Sequence, residues 1–217
     1  MKKKAGIFIT VEGIDGCGKT TQTALLEKHL LEKGFDVVRT REPGGTSLAE
    51  TVREILLNPE SVICPLTELL LYAAARTQHT EELIKPSLKA GKIVICERYI
   101  DASLAYQGYG RGLDKKIIKE LNAMATQGIR PHLTFLLDID PRKAQERKEK
   151  NGLLFDRLER EKIEFHNRVR KGYLKIAALE KKRFRIIDVE KNPEEVRSDI
   201  LREWERFYSG FEGKRKG

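Results

Sequence analysis

Cysteine is scarce in this chain of 217 residues: Cys17, Cys64 and Cys96 are the only three, and they lie far apart. They form no metal-ligand spacing. An odd, sparse set argues against a disulfide framework and fits a reducing compartment. Long apolar runs are also missing, and none approaches the roughly 20 residues that a membrane span needs. One segment imitates a leader: Lys2, Lys3 and Lys4, then Ala5 to Val11. Its apolar run is short, and Glu12 ends it with no small-residue cleavage pattern behind. Cytoplasm is the expected location, with no membrane partner. Internal repeats and low-complexity linkers are absent, and the length suits one α/β domain, or at most one with a small insertion.

Charge is plentiful. Charged residues make up 35% of the chain and hydrophobic residues 40%, with a formal net charge of +9. The balance suits a protein with a real core. The positive excess attracts anions, so nucleotides, phosphates and nucleic acids all fit it, as does a plain solubility role. Five β-branched or aromatic runs are expected as strands: Gly6–Glu12, Phe35–Arg39, Lys92–Glu97, His132–Asp138 and Arg183–Val189. Helical patterns alternate with them, which predicts a parallel sheet covered on both faces. The stripe Leu48, Val52, Ile55 and Leu56 predicts one core-facing helix, stopped at Asn58-Pro59. Ile117, Ile118, Leu121 and Met124 predict another, capped by Asp114. Val196, Ile200, Trp204 and Phe207 predict a third, with Pro193 in its first turn. Residues 159–181 read as one long charged helix, and the tail 210–217 as frayed and solvated.

The strongest signal is Gly13-Ile14-Asp15-Gly16-Cys17-Gly18-Lys19-Thr20, which matches G-x-x-x-x-G-K-[ST] between a strand and a helix. Glycines let the main chain turn its N–H groups onto phosphate oxygens, and the helix N-terminus adds a positive dipole end. Lys19 is expected on the β- and γ-phosphates, with the Thr20 hydroxyl on magnesium. Cys17 has two readings: a thiol activated by nearby cations, or, preferred, a small residue tolerated in a tight loop. The loop implies a bound nucleoside triphosphate. No Asn-Lys-x-Asp sequence accompanies it, which disfavours a guanine-selective GTPase.

Three further segments supply a second substrate site. Arg41-Glu42-Pro43-Gly44-Gly45-Thr46 follows the second strand, where open α/β sheets bind ligands, and the Arg41 fork suits a phosphate. Tyr72 and Arg76 share a helix face beside small alanines, so a ring and a guanidinium can meet a base. His79 reads as structural or solvated. Glu97-Arg98-Tyr99 ends the third strand, where Glu97 suits magnesium and Arg98 a phosphate. Gly108–Gly112 reads as a flexible loop.

These blocks, with Asp156-Arg157-Leu158-Glu159, resemble those of bacterial thymidylate kinases, which are P-loop nucleoside monophosphate kinases, from about Gly6 to about Ala178. The resemblance implies a three-layer P-loop fold with a five-stranded parallel sheet flanked by helices, as one kinase domain over 1–217. It implies transfer of the γ-phosphoryl group of ATP to thymidine monophosphate with Mg2+, no nucleic-acid partner, and a homodimer. Gly13, Gly16, Cys17, Gly18, Lys19, Thr20 and Thr21 would hold ATP. Asp15 would lie near the sugar 3′-hydroxyl and the metal, alongside Thr20 and Glu97. Arg41 and Arg98 would hold the acceptor phosphate. Tyr72, where the family usually has phenylalanine, would stack on thymine, and Arg76 would bond a base carbonyl. Ser103 and Gln107 would fix the base, and Tyr106 would crowd the 2′ position. A lid over about 142–154 would bring a cation to the transferring phosphoryl. Arg147 matches the family best there, with Lys148 and Lys150 as the alternatives. Glu97 departs from the family, which often has aspartate at that place.

Overall fold

The computed structural model describes residues 6–150, 152 and 155–216, with backbone alone at 214–216. The basic head through Ala5, lid positions 151, 153 and 154, and the side chains from Lys214 onward lie outside the described residues.

Five strands form one sheet: β1 (Ile7–Glu12), β2 (Val37–Arg41), β3 (Ile93–Glu97), β4 (Leu133–Asp138) and β5 (Phe184–Asp188). Their order is β2-β3-β1-β4-β5, and every pairing is parallel. Every residue of β1 and β3 is buried, which suits central strands, whereas the edge strands β2 and β5 keep exposed positions. Each buried branched or aromatic side chain contributes about 1.5–3 kcal/mol. Alternation along β1 feeds two cores. Ile7, Ile9 and Val11 pack with Leu26, Leu30 and Trp204, while Phe8 packs with Ile84, Val94, Cys96 and Tyr99 on the other face.

From β1 the chain runs outward to β2, returns to β3, then crosses β1 to reach β4. The order reverses at β1, and a crevice opens there at the carboxyl ends of the strands. The phosphate loop, Arg41 and Glu97-Arg98 all stand at those ends.

The helices are α1 (Lys19–Glu32), α2 (Ser47–Leu57), α3 (Pro65–His79), α4 (Lys85–Lys89), α5 (Ile100–Ser103), α6 (Lys115–Ala125), α7 (Pro141–Lys150), α8 (Ile163–Leu179) and α9 (Pro193–Lys216). Thr46 caps α2 through Oγ1, which accepts from the Ala49 N–H at 3.3 Å. Asp114 caps α6 by accepting from the Lys116 N–H at 2.8 Å.

Several expectations need correction. β2 runs to Arg41, not from Phe35 to Arg39, because Phe35 turns edge-on to Trp204 and Tyr208 instead of joining the sheet. Residues 159–162 precede α8, because the Asp156 carboxylate accepts the N–H groups of Leu158 and Glu159 and closes a separate turn. The tail expected to fray continues α9 to Lys216, and Phe211 packs edge-on to His132. The stripes of α2 and α6 are not wholly core: Leu48 is 53% exposed, Ile55 47%, Ile117 49% and Met124 74%. The glycine run is no loose loop, since Leu104–Gly110 is π-helical and docks on α8. A Cβ at Gly110 would stand 2.7 Å from the Phe165 ring, so only glycine permits that approach. The extra residue of a π turn re-aims side chains, and here Tyr106 and Gln107 line the crevice.

Candidate active site

The phosphate loop spans the gap between β1 and α1. Gly13 (φ 140°), Gly16 (φ 79°) and Gly18 (φ 92°) occupy the region that favours glycine. At Gly13 a Cβ would also lie 2.5 Å from the Leu137 carbonyl oxygen. α1 starts at Lys19 with no acidic residue in its first turn, so its N-terminus suits an anion. Lys19 is buried, and its Nζ donates to the Ile14 carbonyl at 2.9 Å and the Gly13 carbonyl at 3.3 Å. Burial, foremost, pushes the Cys17 thiol up against the pull of Lys19. That direction favours a small buried residue in a tight loop over an activated thiol at Cys17.

Thr20 and Glu97 meet across the crevice: the Thr20 hydroxyl donates to Glu97 Oε2 at 2.9 Å, and Thr23 donates to Oε1 at 3.0 Å. A hydroxyl and a carboxylate side by side form a hard-oxygen set. Among the described residues, no group of three or more His, Cys, Asp or Glu forms a metal cage. Mg2+ ordinarily takes one or two carboxylates plus substrate phosphates, so Thr20 and Glu97 fit it. The Asp15 carboxylate is differently engaged, by Arg98 and Tyr106.

Arg98 is the hub. Its backbone has φ 65°, an uncommon conformation for a non-glycine residue that clusters at functional sites. Nη2 donates to Asp15 Oδ1 at 2.6 Å and to the Tyr106 hydroxyl at 3.0 Å. Nη1 donates to the Gly13 carbonyl at 2.8 Å and the Tyr173 hydroxyl at 3.2 Å. The Tyr106 hydroxyl donates in turn to Asp15 Oδ2 at 2.9 Å. Burial opposes ionisation of Asp15, yet Arg98, then Lys19, hold its carboxyl well below the usual range.

Two cavities meet at this hub. One, beside the phosphate loop, is lined by Lys19, Thr20, Thr21, Arg41, Glu97 and Arg147. The other is lined by Tyr72, Arg76, Ser103, Tyr106, Gln107 and Asp156. Asp15, Glu42, Arg53 and Arg98 border both. Arg53 and Glu42 were not selected from the sequence. An arginine within an amphipathic helix gives no local signal, and Glu42 gains meaning only through partners 34 and 37 residues away.

Arg76 is 1% exposed. Its Nε donates to Glu42 at 2.7 Å, Nη1 to Ser103 at 2.9 Å and Asn122 at 2.7 Å, and Nη2 to the Tyr99 carbonyl at 2.9 Å. Guanidinium carries five donors, so four are committed to the fold. His79 is structural: buried, it bonds Thr40 at 2.7 Å and Glu42 at 3.1 Å. The Gln107 amide donates to Glu68 at 2.8 Å, and Glu68 also receives Arg111 and Arg157. Arg41 ends β2 and pairs with Glu50 at 2.9 Å, with its side chain 49% exposed. In the segment expected as a lid, α7 is regular over 141–150 and leans on the loop, where a Cβ at Gly16 would stand 2.5 Å from the Ala144 carbonyl. Arg147 Nη2 donates to the Val189 carbonyl at 2.7 Å, and Lys148 pairs with Glu159. Both reach the cavity beside the phosphate loop.

The family model described as Thymidylate kinase matches residues 11–200. The thymidylate kinase of Geotalea daltonii is 53% identical over 199 residues, covering 88% of this chain and 93% of that protein. That of Pelotomaculum thermopropionicum is 48% identical over 207 residues, covering 95% and 96%. A crystal structure of thymidylate kinase from Ehrlichia chaffeensis superposes with a TM-score of 0.76 at 38% identity, covering 91% of this chain and 98% of that one. With a phosphate loop, a second cavity beside it and matches along nearly its whole length, the chain belongs to the thymidylate kinase family.

Proposed function

We propose that the protein transfers the γ-phosphoryl group of ATP to dTMP, giving dTDP and ADP, within one domain over 1–217. The observation that carries this reading is the pair of cavities joined at Asp15, Glu42, Arg53 and Arg98. A triphosphate on the loop and a monophosphate in the second cavity would meet there.

The acceptor is a phosphate monoester whose second pKa is about 6, so it is largely dianionic near neutrality and needs no strong general base. The obstacle is bringing two anions together in line. Gly13, Gly16, Cys17 and Gly18 present main-chain N–H groups to the donor, Lys19 moves from the loop carbonyls to its phosphates, and Thr21 lines its cavity. Thr20 and Glu97 would hold Mg2+, which supplies charge neutralisation on the phosphate oxygens when bound. Arg98 and Arg53 border both cavities and would hold the acceptor phosphate, with Arg41 at the rim. Tyr72 stacks on the base. The fifth donor of Arg76 bonds a base carbonyl, with Ser103 and Gln107 fixing the ring. Asp15, kept ionised by Arg98, accepts the 3′-hydroxyl, and Tyr106 crowds the 2′ position. Closure of a lid over 142–154 would bring Arg147 or Lys148 to the transferring phosphoryl and exclude water.

The family's dimer fits this chain's surface. Leu48 and Ile55 on α2, Leu66 and Leu70 on α3, and Ile117 and Met124 on α6 are exposed, and α3 touches both other helices. Covering such a surface between two copies removes it from water. The three cysteines are free, which fits the cytoplasm.

Coupled ADP release is the test, with ATP, Mg2+ and dTMP, dUMP, UMP, CMP, AMP or GMP. A strong dTMP preference is expected. Preference for another monophosphate would discard the base contacts, and ATP binding without transfer to any would discard the kinase reading.

A further inference from the structure

Glu12 is the last residue of β1, wholly buried, and has no part in the phosphate loop itself. A buried carboxylate is expensive unless its oxygens are satisfied. Here each oxygen has one partner, and both partners belong to the setting of Arg98. Oε1 accepts the Tyr99 backbone N–H at 2.8 Å, fixing the peptide that follows the left-handed Arg98. Oε2 accepts the Tyr173 hydroxyl at 2.8 Å, and that same hydroxyl accepts from Arg98 Nη1 at 3.2 Å. The preceding side of Arg98 is pinned too, because its own N–H donates to the Val11 carbonyl at 3.0 Å. One buried carboxylate thus reaches both the main chain beside Arg98 and, through Tyr173, its guanidinium, in addition to the direct contacts with Asp15, Tyr106 and Gly13.

We infer that Glu12 is a positioning residue for phosphoryl transfer, holding Arg98 aligned through the Tyr99 N–H and the Tyr173 hydroxyl. The inference rests on the kinase reading for its consequence in turnover. Its geometric part stands without that reading.

The groups facing Glu12 make its charge state sensitive to pH. Arg98 lies beyond β3, Cys96 on β3, Arg76 on α3, Asp101 on α5 and Tyr173 on α8. Burial, foremost, and the Asp101 charge push Glu12 up to about 7, against Arg98 and the two hydrogen bonds. Asp101 is itself clasped by both Nη atoms of Arg183 at 2.8 Å. Because this value exceeds the ordinary 4.5, the folded protein binds more protons than the unfolded chain between the two. Glu12 therefore subtracts stability as pH rises from about 4.5 to about 7.

The test uses full-length wild type, Glu12→Gln and Tyr173→Phe, each checked for cooperative melting. Glu12→Gln keeps the shape and one acceptor but cannot accept from Tyr173. Turnover is expected to fall about 10- to 100-fold, as for a displaced catalytic group, with ATP KM changed less than about twofold. Tyr173→Phe is expected to give a smaller fall in the same direction. The Glu12→Gln penalty should vanish in an Arg98→Ala background, because the two act as a unit. Wild type should also lose turnover on the acid side of about pH 7, more steeply than Glu12→Gln, in which the acceptor phosphate still titrates near pH 6 but residue 12 does not. A folded Glu12→Gln with wild-type turnover, or a penalty undiminished without Arg98, would overturn the inference. Absence of transfer by wild type would sink the kinase reading alone. The Arg98 Nη signals in nitrogen NMR then decide: distinct in wild type and averaged in Glu12→Gln supports the anchoring, and unchanged signals refute it.

Discussion

The phosphate loop shapes its cavity with main chain, whereas the cavity beside Tyr72 is shaped by side chains locked in buried ion pairs. In the first, three glycines at positive φ and the start of α1 create the anion site, with Lys19 as its adjoining cation. In the second, Arg76, Glu42, His79 and Thr40 form one buried chain, and Glu68 gathers Gln107, Arg111 and Arg157 into another. Main-chain dipoles are fixed by local geometry. Buried charges hold their places only while every partner is present. The two cavities should therefore fail differently when cut.

The largest effect is expected at the buried pairs. Arg76→Ala leaves Glu42 buried beside His79 without its cation, and breaking such a pair costs about 3–5 kcal/mol. Urea unfolding should show that loss, and dTMP binding should weaken with it. A loss below about 1 kcal/mol would mean that the cavity is not held by this pair. Lys19→Ala should do the reverse. Its amine bonds the Ile14 and Gly13 carbonyls and lies 3.8 Å from Asp15, which Arg98 still holds. Stability should therefore fall less than for Arg76→Ala, while turnover falls at least about a hundredfold, as for loss of one preorganised charge. Arg98→Ala stands at the junction and should show both effects. Equal stability and activity profiles for Arg76→Ala and Lys19→Ala would erase the distinction between the two cavities.

A milder effect is expected at Tyr72. It is partly buried against the main core, and burial, with the Glu68 charge second, pushes its hydroxyl well above the ordinary range, so it acts as a neutral ring. Tyr72→Ala should raise the dTMP KM about 5- to 150-fold, since stacking one base is worth about 1–3 kcal/mol. ATP KM should stay within about twofold. An unchanged dTMP KM would remove the stacking role.

The same contrast explains what could be read from the sequence. The phosphate loop is contiguous, and its local geometry follows from its own glycines, so the order of the chain displays the site. The five strands were legible for a related reason: continuous apolar runs at β1 and β3 require burial on both faces. The second cavity draws residues from the phosphate loop, the loop after β2, α2, α3, the end of β3, α5, the π segment and the turn at Asp156. Arg76 and Ser103 could be selected, but their mutual bond could not, nor could the part of Glu42 in it. Amphipathic stripes misled where a helix turns its apolar face outward, as Ile117 and Met124 do on α6. Such residues follow core periodicity whether the neighbour is the same chain or another copy. Phe35 misled for a similar reason, since an aromatic side chain suits a strand and an aromatic cluster equally.

The smallest expected effect sharpens the boundary between the cavities. Arg41 carries a phosphate role by resemblance, yet it is half exposed, pairs with Glu50 at the rim, and borders only the cavity beside the phosphate loop. Arg53 borders both, is less exposed, and donates to the Pro43 carbonyl at 3.0 Å, which turns its guanidinium inward. Burial, then the charge of Arg41, pushes Arg53 below the usual arginine range, a repulsion that an arriving dianion would relieve. Arg41→Ala should thus cost at most about 1 kcal/mol of stability, as for other surface pairs, and raise dTMP KM only a few-fold. Arg53→Ala should raise it more, at least about tenfold, as loss of a charge-assisted hydrogen bond does. If Arg41→Ala proves the more damaging, the acceptor phosphate lies nearer the loop than the shared wall implies. The junction of the two cavities would then be set by β2 instead of α2.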